Sequence, residues 1–505
     1  MNIAQLNKWS IEEYGEYASL VYEDREYTNI EMDKMAGSLA NALKQMDVKP
    51  GDRLAVVMGN SPEMLTAYNA AHKLGAWPMP VLFTLQPQEI AHILDDSEAE
   101  VCLANGLFLP KLMEAKGLSK KGKLRQIITC DKQPQEGYPW VHDLINDNSP
   151  DFDINESKEE EVAFLLYTSG TTGLPKGVML SHRNILFVSD RVKKIVNFQP
   201  GQKAIQILPM NHTFGISAQI TTVSSGVRVT LLSWFDAGKA LQLIEEHSIN
   251  HTGVVPTMMS MLLNHPDAEK RDTSSMKTWV VGAAPLPLEV YRKFQNTFGG
   301  KVLEAYGMTE SSPGGTINRL DREYKPGSAG QIIPDTELKI VDETGAELAP
   351  GKQGEILMKG PHVMLGYYNK PDITAATVVD GWLHTGDVGY LDEDGYLFIT
   401  ERIKDMIIRG GENIYPRDIE EVLYEHPKIA EASVVGKKDE VYGEEVLAIV
   451  VLKPGEELTE EEVIEYAAGR LAKFQRPKSV LFLDSLPKTP IGKVLKRELR
   501  KEYGQ

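Results

Sequence analysis

"LLYTSGTTGLPKGVMLSHRN" occupies residues 165–184, and its centre is glycine, hydroxyls and one lysine. Gly170 and Gly173 allow backbone N–H groups to turn inward as an anion nest. Thr168, Ser169, Thr171 and Thr172 add donors, and Lys176 adds positive charge. That chemistry suits a phosphate chain. A Walker loop needs a hydroxyl directly after its lysine to hold Mg²⁺. Here Lys176 follows Pro175 and precedes Gly177, so that reading fails. "IGKV" at 491–494 fails in the same way, and G-x-G-x-x-G is absent, so a Rossmann reading has no support. The competing reading is a solvated Gly/Ser/Thr linker, and the flanks argue against it. Residues 162–167 form an apolar strand, while Ile185, Val188, Val192, Ile195 and Val196 recur at helical spacing. The stretch is therefore expected to join a buried strand to an amphipathic helix.

The same texture extends in both directions. Before it, "DRLAVVMG" predicts a buried strand, "PEMLTAYNAAHKLG" a helix ended by Gly75, and "AWPMPVL" another strand. That alternation argues for a parallel sheet covered by helices. After it, "TWVVGAAPL", "PLEVYRKFQNTFGG" and "KVLEAYGMTE" repeat strand, helix, strand. From about 325 to 400, short strands alternate with Gly, Asp and Pro turns, including the hairpin signal Asp394-Gly395. The last hundred residues read as a compact α+β module. Pro416 opens a helix, Thr459 and Glu462 form a capping box for another that runs to near Gln475, and "SVLFL" is a last strand. The expected fold class is α/β: a large N-terminal domain, 1–403, of stacked α/β subdomains plus a small β-rich subdomain. A small α+β C-terminal domain, 404–505, completes it.

The 505 residues carry a formal net charge of -18, which argues against a nucleic-acid partner because such binding needs a basic footprint. Cys102 and Cys130 are isolated in apolar settings, so neither a disulfide framework nor a zinc cluster is readable; buried inert thiols are expected. The N-terminus lacks the apolar core and basic flank of a secretory signal, and no apolar run reaches membrane-spanning length. A cytoplasmic enzyme without an integral membrane segment is the expectation; a homodimer is left open.

"YTSGTTGLPKGV" at 167–178 resembles the phosphate loop of the adenylate-forming superfamily, which includes acyl-CoA synthetases, nonribosomal peptide adenylation domains and insect luciferases. "YGMTE" (306–310), "GWLHTGD" (381–387), "ERIKDMIIRGGENIYP" (401–416) and "PKTPIGKVLKR" (487–497) resemble its other signatures in the same order. The resemblance covers nearly the whole chain. It implies activation of a small-molecule carboxylic acid with ATP and Mg²⁺ to an acyl adenylate, then transfer to coenzyme A. Crowding of negative charge around phosphorus makes fixed cations and a metal the expected catalytic means.

By spacing alone, Lys493 is one surface lysine among many, and Asp387 and Arg402 a turn aspartate and a surface arginine. The resemblance gives Lys493 contact with the carboxylate and α-phosphate, Asp387 the ribose hydroxyls, and Arg402 the ribose or phosphates. It gives Thr309 the α-phosphate and Glu310 the metal, where a helix-start pair is the plain alternative. Tyr306 is implied to stack on adenine, with Glu304, Ala305 and Gly307 beside it; a core tyrosine is the alternative. Gly282, Ala283 and Ala284 are small residues after a strand, where backbone can approach adenine on one side and the acyl chain on the other. With the phosphate-loop residues, these complete the implied nucleotide site. His212 resembles the family's gating position, and with Phe214, Gly307 and Met308 it lines the implied acyl pocket. No acid lies in "HTFGIS", which disfavours an amino-acid substrate. A medium- or long-chain fatty acid is expected, with an aryl acid as the alternative. Family members rotate the C-terminal domain between half-reactions. The hinge matches Lys404, and Gly410, Gly411 and Glu412 would then line the coenzyme A route. Two other readings are an acyl-AMP ligase serving a carrier protein, disfavoured because no insertion is evident, and a non-catalytic nucleotide-binding scaffold, which loss of Lys493 or Glu310 would have favoured.

Overall fold

The computed structural model describes residues 2–168, 174–410, 412–488 and 494–505. Ser169, Gly170, Thr171, Thr172, Gly173, Gly411 and Lys493, all singled out above, lie outside the described residues. The fold is mixed α/β, with a large N-terminal part and a small C-terminal one.

The first sheet is parallel throughout, in the order Trp77–Pro80, Arg53–Val57, Val101–Ala104, Gln126–Thr129. Its strands are short apolar runs buried on both faces, as helix-covered parallel strands must be. Between them, the helix Pro62–Leu74 starts with proline after the Ser61 cap and ends at Gly75 in the left-handed conformation. The strand Ala18–Tyr22 leaves this unit to pair onto Arg228–Leu231, and Arg25–Thr28 pairs onto the other side of Ala18–Tyr22. They become one edge of a second, larger sheet, a crossover that local patterning does not reveal. The middle of that sheet is parallel: Arg228–Leu231, Lys203–Gln206, His251–Val254, Thr278–Val281 and Lys301–Tyr306. Trp279, Phe294 and Phe298 are buried on one face, with Trp279 edge-on to Phe294 at 4.8 Å between centroids.

The glycine stretch corrects the sequence reading. Residues 176–181 are not the approach to a helix but a strand, Lys176–Ser181, antiparallel to Val162–Thr168 with Thr168 opposite Lys176. The cause is alternation: Val178 and Leu180 are buried, and Gly177 leaves room for Leu165 and Tyr167 across the pair. The helix starts only at His182, where Ser181 and Asn184 form a reciprocal cap. The loop therefore spans a hairpin.

The β-rich unit is the antiparallel set Glu337–Val341, Gly354–Lys359, Trp382–Leu391 and Leu397–Arg402, with the turn at Asp394-Gly395 as expected. In the C-terminal part, Gly443–Leu452 pairs with Ile429–Asp439, Ile407–Arg409 and Ser479–Phe482. The helix Pro416–Tyr424 opens at its proline. The helix capped by Thr459 and Glu462 runs only from Glu460 to Ala468, not to Gln475. Leu471 turns back to the Ala467 carbonyl, and glycine at 469 disfavours a further turn. Cys102 and Cys130 are buried free thiols, and burial pushes Cys102 up to about 12. Among the described residues, no helix is long and apolar enough to cross a membrane.

One glycine fixes how the helix Thr213–Val223 enters the site. A Cβ on Gly215 would lie 2.2 Å from the Pro209 carbonyl oxygen, and backbone cannot yield as a side chain can. Gly215→Ala is therefore expected to lower stability by about 1–3 kcal/mol, read as a lower urea midpoint with an unchanged slope.

Candidate active site

Strand ends of the large sheet, the hairpin and the β-rich unit converge on one continuous cavity of about 1940 Å³. Thr168 and Lys176, the two ends of the hairpin, line it. Gly282, Ala283 and Ala284 line it from the strand Thr278–Val281. Ala283 has φ 70°, a conformation that costs a side-chain-bearing residue and concentrates at functional sites. Glu304, Ala305, Tyr306, Gly307, Met308, Thr309 and Glu310 follow from the next strand and its loop. Gly307 is dictated by space: a Cβ there would stand 1.9 Å from the Pro313 carbonyl oxygen.

The Tyr306 hydroxyl donates to Oδ2 of Asp387 at 2.5 Å, and Arg402 Nε lies 3.2 Å from Oδ1. Asp387 and Arg402 are direct cross-strand partners, so the pair is fixed by register. Asp387 is buried with a charge on one side and a donor on the other, which satisfies a carboxylate removed from water. Burial and the facing Asp387 push the Tyr306 phenol well above its ordinary range, so it stays a donor.

Glu310 is buried, and Oε1 accepts from the Tyr367 hydroxyl at 2.9 Å. Lys176 Nζ lies 5.4 Å from the centre of that same tyrosine ring. Tyr367 was not identified from sequence; an aromatic in "LGYYN" carries no local signal of this role. It links the hairpin lysine to the carboxylate. Among the described residues no cluster of three or more His, Cys, Asp or Glu could hold a metal. A lone buried carboxylate nevertheless suits Mg²⁺, which takes one or two protein oxygens and the rest from water and phosphate.

His212 caps the helix Thr213–Val223, its Nδ1 accepting from the Phe214 N–H at 3.3 Å. The Thr213 and Thr309 hydroxyls are 3.4 Å apart, joining that helix start to the loop after the strand Lys301–Tyr306. The Phe214 ring stands against Gly253 and Gly282, where either glycine's absent Cβ would sit 3.5 Å from it. Val188, Val192, Ala305 and Ile317 add apolar lining to the same cavity.

Arg402 and Lys404 line the cavity at the junction with the C-terminal part, as do Lys488 and Val494, which bridge each other. Gly410 and Glu412 do not line it. Gly410, at φ 58°, packs on the Tyr442 ring instead. The expected nucleotide and acyl residues among those described are thus brought together, and the expected coenzyme A residues stand apart from them.

Two family descriptions match the chain: AMP-binding enzyme over residues 7–368, and AMP-binding enzyme C-terminal domain over residues 418–493. It is 37% identical over 494 residues to the long-chain-fatty-acid–CoA ligase of Bacillus subtilis (strain 168), covering 92% of this chain and 88% of that one. It is 35% identical over 481 residues to a feruloyl-CoA synthase of Amycolatopsis sp, covering 94% of each. The crystal structure of ATP-bound MatB from Rhodopseudomonas palustris overlays with a TM-score of 0.92 at 32% identity, covering 100% of this chain and 99% of that one. The apo form of the same protein, at the same identity and coverage, gives 0.79.

Glu304 carries a pH signature. Burial raises its carboxyl from 4.5 to about 7 against the opposing pull of Arg417, and Oε2 has no hydrogen-bond partner among the described residues. Between those values the folded protein holds a proton that the unfolded chain has released. This group's stabilising contribution is therefore full below about pH 4.5 and lost as pH rises through about 7. Glu304→Gln is expected to melt higher than the parent at pH 8, by up to about 3 kcal/mol, with most of that gain gone at pH 5. Melting curves at the two pH values check it.

Proposed function

The chain belongs to the AMP-binding enzyme family, and from that premise we propose that it is an AMP-forming acid–thiol ligase that converts a carboxylic acid, ATP and coenzyme A to acyl-CoA, AMP and pyrophosphate. The observation that carries this reading is the meeting, in one cavity, of the Tyr306–Asp387–Arg402 cluster, the Lys176–Tyr367–Glu310 chain and an apolar lining that includes Phe214, Val188, Val192, Ala305 and Ile317.

In the first half-reaction a carboxylate oxygen attacks the α-phosphorus. The new O–P bond forms as the bond to the bridging oxygen of pyrophosphate breaks. Asp387 takes the ribose hydroxyls on its remaining lone pairs and Tyr306 offers its ring to adenine. Ala283 and its neighbours let backbone approach the base, with Glu304 at its edge. Ser169, Gly170, Thr171, Thr172, Gly173 and Lys176 cradle the β- and γ-phosphates, with Thr168 at the loop's foot. Thr309 donates to the α-phosphate, and Lys493 neutralises charge as it builds there. Glu310, oriented by Tyr367, would hold Mg²⁺ together with the phosphate oxygens; when bound, the ion supplies positive charge to the departing pyrophosphate. In the second half-reaction the thiol loses its proton, sulfur bonds to the acyl carbon, and AMP leaves with the carboxyl–phosphate oxygen. His212 stands where acyl and thiol routes would meet.

We place the domain boundary at 403/404 and the pivot at Lys404. Lys488 and Val494 face the cavity while Gly410 and Glu412 do not, which supports an adenylation arrangement in this structure. The higher TM-score to the ATP-bound relative than to its apo form agrees with that. Gly410, Gly411 and Glu412 would reach the site after rotation. The acyl substrate we favour is a medium- or long-chain fatty acid, because Val188, Val192, Ala305 and Ile317 offer apolar walls and no charge. The flat face of Phe214 against two glycines supports an aryl acid as the second reading. A panel of both acid types, assayed for AMP release with and without coenzyme A, tests the proposal. AMP release that needs a carrier protein instead of coenzyme A would replace it.

Two substitutions probe the assigned roles. Lys493→Ala is expected to slow pyrophosphate exchange by roughly 10²–10³-fold while thioester formation from supplied acyl adenylate persists. Equal loss in both halves would sink the two-arrangement assignment. Glu310→Gln keeps shape and removes charge, so ATP binding should survive while the magnesium concentration for half-maximal rate rises. A magnesium titration of rate beside calorimetry with an ATP analogue measures both.

A further inference from the structure

Glu401 is the penultimate residue of the strand Leu397–Arg402, on the large side of the pivot at Lys404. Its side chain is 9% exposed, and Oε2 accepts from Lys496 Nζ at 3.1 Å. Lys496 opens the last helix, Lys496–Tyr503, on the other side of the pivot. The same Nζ lies 3.0 Å from Oε1 of Glu420. Glu420 sits in the helix Pro416–Tyr424, on the same side as Lys496, and its Oε1 also accepts the Val434 N–H at 2.7 Å. One lysine thus faces two carboxylates, one from each side of the pivot.

The arrangement has an asymmetric consequence. Turning the C-terminal part must break the pair to Glu401 and can keep the pair to Glu420. Breaking a buried ion pair is costly chiefly because it strands a charge. Here no charge is stranded. Lys496 retains Glu420, and Glu401, which lines the cavity wall, is uncovered to solvent. An interaction present in one arrangement and absent in the other is what biases an equilibrium between them. The second carboxylate is what keeps that bias reversible.

We propose that Glu401 is a positioning residue whose ion pair with Lys496 across the pivot favours the adenylation arrangement and is given up for thioester formation. This rests on the two-arrangement reading above. The pair acts close to the chemistry. Lys496 follows Val494 and Leu495; Val494 bridges Lys488, and the Leu495 N–H donates to the Pro487 carbonyl at 2.8 Å. The ion pair therefore anchors the C-terminal flank of the segment that carries Lys493.

The test separates the halves of the reaction in Glu401→Gln, which keeps shape and removes charge. Pyrophosphate exchange is expected to fall roughly tenfold, while thioester formation from supplied acyl adenylate holds or quickens. Glu401→Asp, which keeps the charge on a shorter arm, should restore part of the loss. An activity-independent readout comes from a fluorescence pair on Lys120→Cys and Glu457→Cys, two exposed positions on opposite sides of the pivot. The native cysteines are buried and leave these sites free for labelling. Glu401→Gln should shift the energy-transfer distribution relative to the parent. Equal loss in both halves, or unchanged exchange, or an unchanged distribution, would each overturn the proposal. A parent that shows no pyrophosphate exchange with any acid would refute the ligase reading instead, and the fluorescence pair would still report on the ion pair.

Discussion

A buried carboxylate, Asp387, holds the site together. Its two oxygens are met by Tyr306 from the large sheet and by Arg402 from the neighbouring strand of the β-rich unit. The first contact ties two subdomains; the second reaches to within two residues of Lys404. A carboxylate withdrawn from water is stable only with both donors in place, and removing one leaves a penalty of several kcal/mol. The constraint acts in both directions. Asp387 demands that Tyr306 and Arg402 stay where they are, and their positions fix the strand ends between which a nucleotide would lie. The bend after Tyr306, where Gly307 alone clears Pro313, follows from the same packing.

A net charge of -18 would ordinarily repel ATP, itself a polyanion. The cavity resolves this locally. Lys176, Arg402, Lys404, Lys488, Lys496 and Arg497 all line it among a larger number of carboxylates, so a phosphate there would be met by individually placed cations and not by a basic field. Long-range repulsion between exposed charges is screened beyond about 8 Å at physiological ionic strength, whereas cations inside a low-dielectric cleft are screened much less. An acidic surface is therefore compatible with phosphate contacts made by single cations inside the cavity.

Much of this was legible in the sequence, and what was not has physical causes. The helix Pro62–Leu74 declared both its ends through Ser61, Pro62 and Gly75, because caps are local chemistry. The helix after Thr459 declared its start but not its stop, since Ala, Leu and Lys beyond Gly469 are good helix formers and only the fold turned them. The stretch 176–181 was hidden by the stronger helical signal that follows; six residues of alternation are a weak pattern beside fifteen of periodicity. The crossover of Ala18–Tyr22 to the larger sheet is a non-local pairing with no local mark. At the candidate site, described residues from five separated motif segments line one cavity. Tyr367 did not announce itself because its role is set by distance to Glu310, fifty-seven positions away. Gly410 and Glu412 stand off the cavity because the strands Ile407–Arg409 and Glu412–Ile414 are tied to each other and to Gly443 by pairings that no local pattern marks.

The two cysteines bear on a matter of redox hygiene. An enzyme that handles a free thiol as co-substrate meets that thiol, and its oxidised dimers, at every turnover. Exchange requires a thiolate on the protein and access to it. Cys102 and Cys130 have neither: they are buried in two separate apolar clusters packed against the first sheet, and burial raises both thiols, Cys102 to about 12. Neither thiol is thus placed to form a mixed disulfide with a thiol co-substrate while the protein stays folded.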